Sequence, residues 1–350
     1  MFYIHHTSCI SPQQTFNNID IESLQVPVSN KMQVIEPSYE GIPTGILRRM
    51  GKAIRIAVGT ALPLIKQNNI TINGIIIGTA NGGMEDCIKF LNQIIDYEEG
   101  MLTPTNFVQS TTNAIAAQIG LLSANKSYNT THVQRGLAFE NALLDAGMLL
   151  QENHGANYLV GGVDEISAYN YNIDWLDGWF KKESFSANNL YNSGTPGAVA
   201  GEGAAMFLVG ATNNGALAFV RGLQQLHTTD ELAVARQLDA FLKKYLPAGE
   251  KPDLLLSGED GDSRSLPYYN ACEAVLQKET TIARFKHMTG EYATASATAL
   301  WIACFLLKEQ SLPQHMVKYN TFPSKLNRIL IYNQHKGQQH SFMLVEMPGT

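Results

Sequence analysis

Cysteine is scarce in this 350-residue sequence and badly spaced for staples or metal. Its four cysteines, Cys9, Cys87, Cys272 and Cys304, form no C-x-x-C pair and no ligand spacing with the nine histidines. That pattern argues against a disulfide framework and against structural zinc. No metal or cofactor is implied, and the thiols read as buried groups in a reducing compartment, taken to be the cytoplasm. Charge is scarce too: only 16% of residues are charged, with a net balance of -6 and an isoelectric point near 5.9. Such a chain is a poor match for a phosphate backbone, so nucleic acid is not an expected partner. Long apolar runs are missing, and no segment nears the roughly 18 residues of a membrane helix. The opening "MFYIHHTSCISPQQ" lacks the basic stretch and apolar core of a secretory signal. No G-x-S-x-G elbow offers a serine nucleophile.

What is present is apolar bulk, 45% of the chain, organised as two similar series. A helical stretch at 48–68 leads into "INGIIIGTANGG", and another at 229–245 leads into "PDLLLSGEDGDSR". Each is an apolar strand ending in a Gly-bearing turn before a helix. Further on, a helix at 137–151 precedes the strand "NYLVGGVDE", and a helix at 293–307 precedes "RILIYN". Continuous apolar strands alternating with helices imply a buried sheet covered on both faces. Matching order implies an internal duplication, with halves at 1–210 and 211–350. The small residues Ala293, Ala295, Ser296, Ala297 and Ala299 fit either a central helix squeezed between sheets or an ordinary alanine-rich core helix. Between the halves, the run "WLDGWFKKESFSANNLYNSGTPGAVAGEGAA" reads as a long loop of functional or interface character.

These pieces, in this order, resemble a β-ketoacyl synthase of the thiolase fold. The resemblance rests on "CISPQ" (9–13), "IGTANGG" (77–83), "TPTNFVQSTTNAIAAQIGLL" (103–122), "LVGGVDE" (159–165), "AGEGAAMFLV" (200–209) and "KHMTG" (286–290). It implies an α/β, five-layer αβαβα fold with two pseudo-duplicated halves. The closest likeness is to ketosynthase-like and chain-length-factor subunits of bacterial aryl-polyene and flexirubin pigment clusters. The C-terminal "YNQHKGQQHSFMLVE" departs from the family's Gly-Phe-Gly-Gly loop.

A condensing member needs a cysteine at a helix start to hold the acyl chain and two histidines to stabilise the enolate. The resemblance places the cysteine on Gln134 or Gly136, and no cysteine lies between Thr130 and Phe139. The first histidine falls on Glu259 or Asp260, and the second on Glu291, with the preceding Lys286 retained. An ionised Glu291 would oppose a malonyl carboxylate by about 4 kcal/mol for charges about 4 Å apart at an effective dielectric of about 20. His132, His287 and His340 are read as structural histidines. Thr111, Asn113, Gly201 and Glu202 are the expected substrate-pocket residues.

The resemblance therefore implies a chain-length-factor-like, non-condensing homologue that pairs with an active ketosynthase as a heterodimer. Its interface is expected around 103–120 and the strand near 157–165. Alternatives are a residual malonyl-carrier decarboxylase or acyltransferase, and a homodimeric scaffold for an acyl carrier protein. For carrier docking, Arg48, Arg49, Lys52, Arg55, Lys181 and Lys182 are scattered candidates.

Overall fold

The computed structural model describes residues 1–349 except positions 69, 185–186, 277–279, 321–322 and 324. The strands of its main sheet are β1 (Phe2–Ile10), β2 (Gly74–Gly78), β3 (Tyr128–His132), β4 (Asn157–Asp164), β5 (Gly203–Gly210), β6 (Ala218–His227), β7 (Leu254–Ser257), β8 (Thr281–Arg284), β9 (Val317–Tyr319), β10 (Arg328–His335) and β11 (Gln339–Glu346). The helices that frame the site are α1 (Lys52–Gln67), α2 (Ala114–Leu122), α3 (Ala138–Glu152), α4 (Ala168–Leu176), α5 (Glu231–Tyr245), α6 (Leu266–Leu276) and α7 (Ala295–Glu309).

Hydrogen bonding runs in the order β9-β8-β7-β10-β11-β6-β1-β5-β4-β2-β3. The first half reads β3-β2-β4-β5-β1, and the second repeats it as β8-β7-β10-β11-β6. Directions repeat as well. β2 is parallel to β3 and β4, and β5 is antiparallel to both β4 and β1. β7 is parallel to β8 and β10, and β11 is antiparallel to β10 and β6. The halves join where Phe2–Ile4 pairs with Ala218–Val220. The duplication expected from the sequence is thus written in the strand order.

Side-chain alternation along these strands builds the layers. In β2, Ile75 and Ile77 pack outward with α1 and α2, whereas Ile76 points inward to α3. In β7, Leu255 packs outward with α5 and α6, and Leu254 and Leu256 point inward to α7. Two outer apolar clusters and one central cluster, which wraps both sides of α3 and α7, therefore hold five structural layers together. A helix buried on all sides carries little amphipathic contrast, and α7 is such a helix. Its small residues allow close approach: a Cβ at Gly162 of β4 would sit 2.7 Å from that of Ala297.

The sequence expectations match the helices to within a few residues. α1 begins at Lys52, after Gly51 as N-cap, rather than at 48. α7 begins at Ala295 rather than 293, because Thr294 is its N-cap and is tied to Asp164 through both its N–H (3.2 Å) and its hydroxyl (2.8 Å). Strand β4, near which a subunit interface is expected, is paired on both sides and lies inside the sheet. The open edge of this half is β3.

Candidate functional site

A cavity of about 580 Å³ opens where the N-terminal ends of the two middle helices meet the ends of β4 and β10. Its wall includes Arg135, Asp164, Gly201, Asp260, Glu291 and His335, with Tyr171, Trp179 and Tyr268 as aromatic members. Loops at strand ends of a rigid sheet are where side chains can converge without disturbing the core.

The α3 entrance carries the most unusual backbone. Residues 135–137 form one 3-10 turn before α3 proper, and Arg135 has φ of 50°. A non-glycine residue in the left-handed region costs about 1–3 kcal/mol, and such positions cluster at functional sites. Gly136 follows because nothing larger fits: a Cβ there would lie 2.2 Å from the Cβ of His335. Between them these two residues turn the Arg135 side chain into the cavity wall. Gln134 does not share that position. Its side chain accepts from Asn141 Nδ2 at 2.5 Å and its carbonyl accepts from Gln339 Nε2 at 3.3 Å.

Glu291 lies at the approach to α7, as its position after Gly290 implied. Its Oε2 is ion-paired to Lys286 Nζ, and its Oε1 lies 3.4 Å from His335 Nδ1. Burial works against its charge, but Lys286 and His335 outweigh burial and hold its pKa below the ordinary 4.5. Backbone bonds clamp the segment, with Glu291 N–H donating to Val199 at 2.7 Å and Gly201 N–H donating to Glu291 at 2.9 Å. Lys286 is 1% exposed, so its ammonium is committed to this network.

Of the two adjacent acids in "SGEDGDSR", Asp260 faces the cavity and Glu259 does not. Glu259 is ion-paired to Arg284 (3.1 Å) and Lys318 (2.6 Å). Asp260 accepts from Ser265 Oγ at 2.8 Å and Gln334 Nε2 at 3.1 Å. Burial, then the neighbouring Glu291 charge, push Asp260 up to about 7. Asp164 is a structural clamp at the cavity wall. It accepts from Thr79 Oγ1, the N–H groups of Ala80 and Asn81, and the hydroxyl and N–H of Thr294.

Among the expected pocket residues, Gly201 lines the cavity. Glu202 is buried beneath it, ion-paired to Lys52 at 2.5 Å and accepting from the N–H groups of Val34 and Ile166. Thr111 and Asn113 are exposed and outside the cavity wall, Asn113 accepting from Thr131 of β3 at 2.9 Å. The three histidines weighed from sequence also lie elsewhere. His132 is 2.9 Å from Asp145, and His340 donates to the Thr228 carbonyl. His287 sits in a chain from Tyr191 through His315 to the Ile21 carbonyl.

No cysteine is among the described lining residues. Cys9 and Cys304 are buried and pushed up to about 12, and burial raises Cys272 as well. Cys87 is half-buried and off the cavity wall. The expected basic candidates are largely spoken for: Lys52 and Arg55 are ion-paired, and Lys181 is buried among Ser193, Thr195 and Gly261 oxygens. Among the described residues no cluster of His, Cys, Asp and Glu could hold a metal ion, and no helix is long and apolar enough to cross a membrane. Sequence reasoning missed Arg135 and His335. The signal available was the Arg-Gly pair at the start of a buried helix, and a histidine ending a strand beside a glycine-bearing loop.

Residues 24–173 match the family described as β-ketoacyl synthase, N-terminal domain. No curated protein matches the sequence. Solved structures match over nearly the full length. The ishigamide ketosynthase/chain length factor is 13% identical, with a TM-score of 0.78 and coverage of 99% of each chain. A ketosynthase in complex with its chain length factor from Xenorhabdus doucetiae is 11% identical, with a TM-score of 0.76, covering 99% of this chain and 98% of that one. A type II polyketide synthase acyl-carrier protein in complex with its ketosynthase bound to the hexaketide is 13% identical, with a TM-score of 0.77 and the same coverage. At these identities the likeness is one of fold, the thiolase fold of ketosynthases. Fold and family match together show a chain with the thiolase fold of ketosynthases whose residues 24–173 are similar to the β-ketoacyl synthase N-terminal domain.

Proposed function

We propose that this chain is a non-condensing, chain-length-factor-like subunit that pairs with an active ketosynthase and shapes the space its acyl chain occupies. One observation carries the reading: the cavity at the start of α3 presents Arg135, Asp260 and Glu291, with no thiol among the described lining residues. Acyl transfer needs a nucleophile, and an arginine that stays protonated supplies none. Enolate stabilisation needs neutral or cationic donors, and Glu291 is an acceptor held ionised by Lys286. Pairing is favoured by the open edge of β3 and the apolar residues exposed near it in sequence, Met101, Phe107, Val108 and Leu121. The carrier thioester reaches such a pair through its partner, in keeping with the complexes named above.

The test is intact-mass analysis after incubation with acyl- and malonyl-carrier thioesters. It is run on the isolated chain and again with the ketosynthase recovered by gentle affinity purification from the native cell. No adduct and no CO2 alone, with altered product length in the pair, is the expected result. A covalent acyl adduct on the isolated chain, or CO2 release by it, refutes the reading. Phe107→Asp and Val108→Asp are expected to abolish the complex.

A further inference from the structure

The cavity wall is rich in acids, and most of them have partners of their own. Asp164 accepts five hydrogen bonds, Glu291 is ion-paired to Lys286, and Asp260 accepts from Ser265, Gln334 and the Asp262 N–H. Asp262 is ion-paired to Arg264, and Asp174 to Lys336 at 2.5 Å. Arg135 differs. Among the described residues it is the lining cation without an ion pair or a side-chain hydrogen bond. A backbone held at φ of 50°, beside a glycine that nothing can replace, keeps it there. Strain maintained to present an unpaired guanidinium is hard to explain as packing, since an exposed side chain with no partner contributes little to stability.

We propose that Arg135 is an anion-binding residue that makes this cavity a site for acyl groups ending in a free carboxylate. The guanidinium is planar and forked, and pairs with a carboxylate through two parallel hydrogen bonds. A single negative charge suits the surroundings better than the double charge of a phosphate monoester, because Asp164, Asp260 and Glu291 share the wall. The volume of about 580 Å³ accommodates a short acyl chain, and Tyr171, Trp179 and Tyr268 supply apolar surface for its methylenes. Delivery as a pantetheine thioester rests on the reading of the chain as a ketosynthase-like subunit. The carboxylate preference stands on the geometry alone.

The experiment is calorimetric titration of the full chain with glutaryl-pantetheine and with pentanoyl-pantetheine, which differ at the terminal carboxylate. The wild type is expected to bind the glutaryl compound at least tenfold more tightly. Arg135→Gln is expected to erase that preference and leave pentanoyl binding unchanged. Arg135→Gly removes the charge and the backbone strain together, so it is expected to unfold at or above the wild-type urea midpoint while losing the preference. Equal affinities in the wild type, no glutaryl binding at millimolar concentration, or a preference that survives in both variants overturns the assignment. Such an outcome without a covalent adduct or CO2 leaves the non-condensing reading intact; an adduct or CO2 strikes that reading instead.

Discussion

Removing the Lys286 ammonium should be among the most destabilising single changes in this protein. Lys286 is 1% exposed, ion-paired to Glu291, and its field also reaches the buried Asp260 and Glu140. Lys286→Met leaves the largely buried Glu291 without its main counter-ion and with only His335 beside it, a change worth about 3 kcal/mol, the low end of the range for breaking a buried pair. Glu291→Gln strands the ammonium and belongs to the same range. Replacing both, as Lys286→Met with Glu291→Leu, removes the charge problem, so the double variant is expected to be more stable than either single one. The pH dependence has a definite sign. Glu291 has a depressed pKa in the folded protein, so its pairing contributes fully above the ordinary value of 4.5 and is lost as pH falls through the lower folded value. The cost of Lys286→Met should therefore shrink in acid, where the stranded carboxyl takes a proton. Urea denaturation at pH 8 and pH 5, followed by both circular dichroism and tryptophan fluorescence, measures all of this. A cost below about 1 kcal/mol for Lys286→Met, or a double variant no better than the worse single, refutes the reasoning.

Three further outcomes are expected. Burial raises the pKa of Asp260 to about 7, so its contribution to stability is present at low pH and lost as pH rises through that value; Asp260→Asn should flatten the stability profile between pH 4 and 8, as read by urea midpoints. Gly136→Ala should destabilise by about 1–3 kcal/mol, because the added methyl meets the His335 Cβ, and the loss is read from the same midpoints. Native iodoacetamide labelling, mapped by peptide mass spectrometry, should modify Cys87 well ahead of the buried Cys9, Cys272 and Cys304.

The fold was legible because its signals are redundant. "GIIIG" and "LLLS" are apolar on both strand faces, as a doubly covered sheet requires, whereas the alanine-rich segment at 295–299 suited an ordinary core helix as well as one crowded between sheets, and the fold decides for the latter. The site was legible where a motif anchored it, as Glu291 is anchored by the preceding "KHMTG". It was illegible where a single residue step decides orientation. Glu259 and Asp260 are neighbours at a strand end, and only the turn geometry sends Asp260 into the cavity and Glu259 to Arg284 and Lys318. Arg135 was hidden for the same reason. It lies between the two positions that the resemblance offered, and an arginine ahead of a helix ordinarily reads as solvated surface. Its left-handed backbone is a property of the folded turn that composition does not encode.

Duplication gives the two halves the same strand order, but not the same valency. At the end of the second half the three-residue β9 lies antiparallel against β8, a cap with no counterpart among the described residues of the first half, where β3 is the edge strand. If both ends were bare and complementary, copies could add end to end without limit, as in any head-to-tail contact that fails to close. With one terminus blunted, the pairing proposed at β3 would leave no second long bare edge from which further copies could extend.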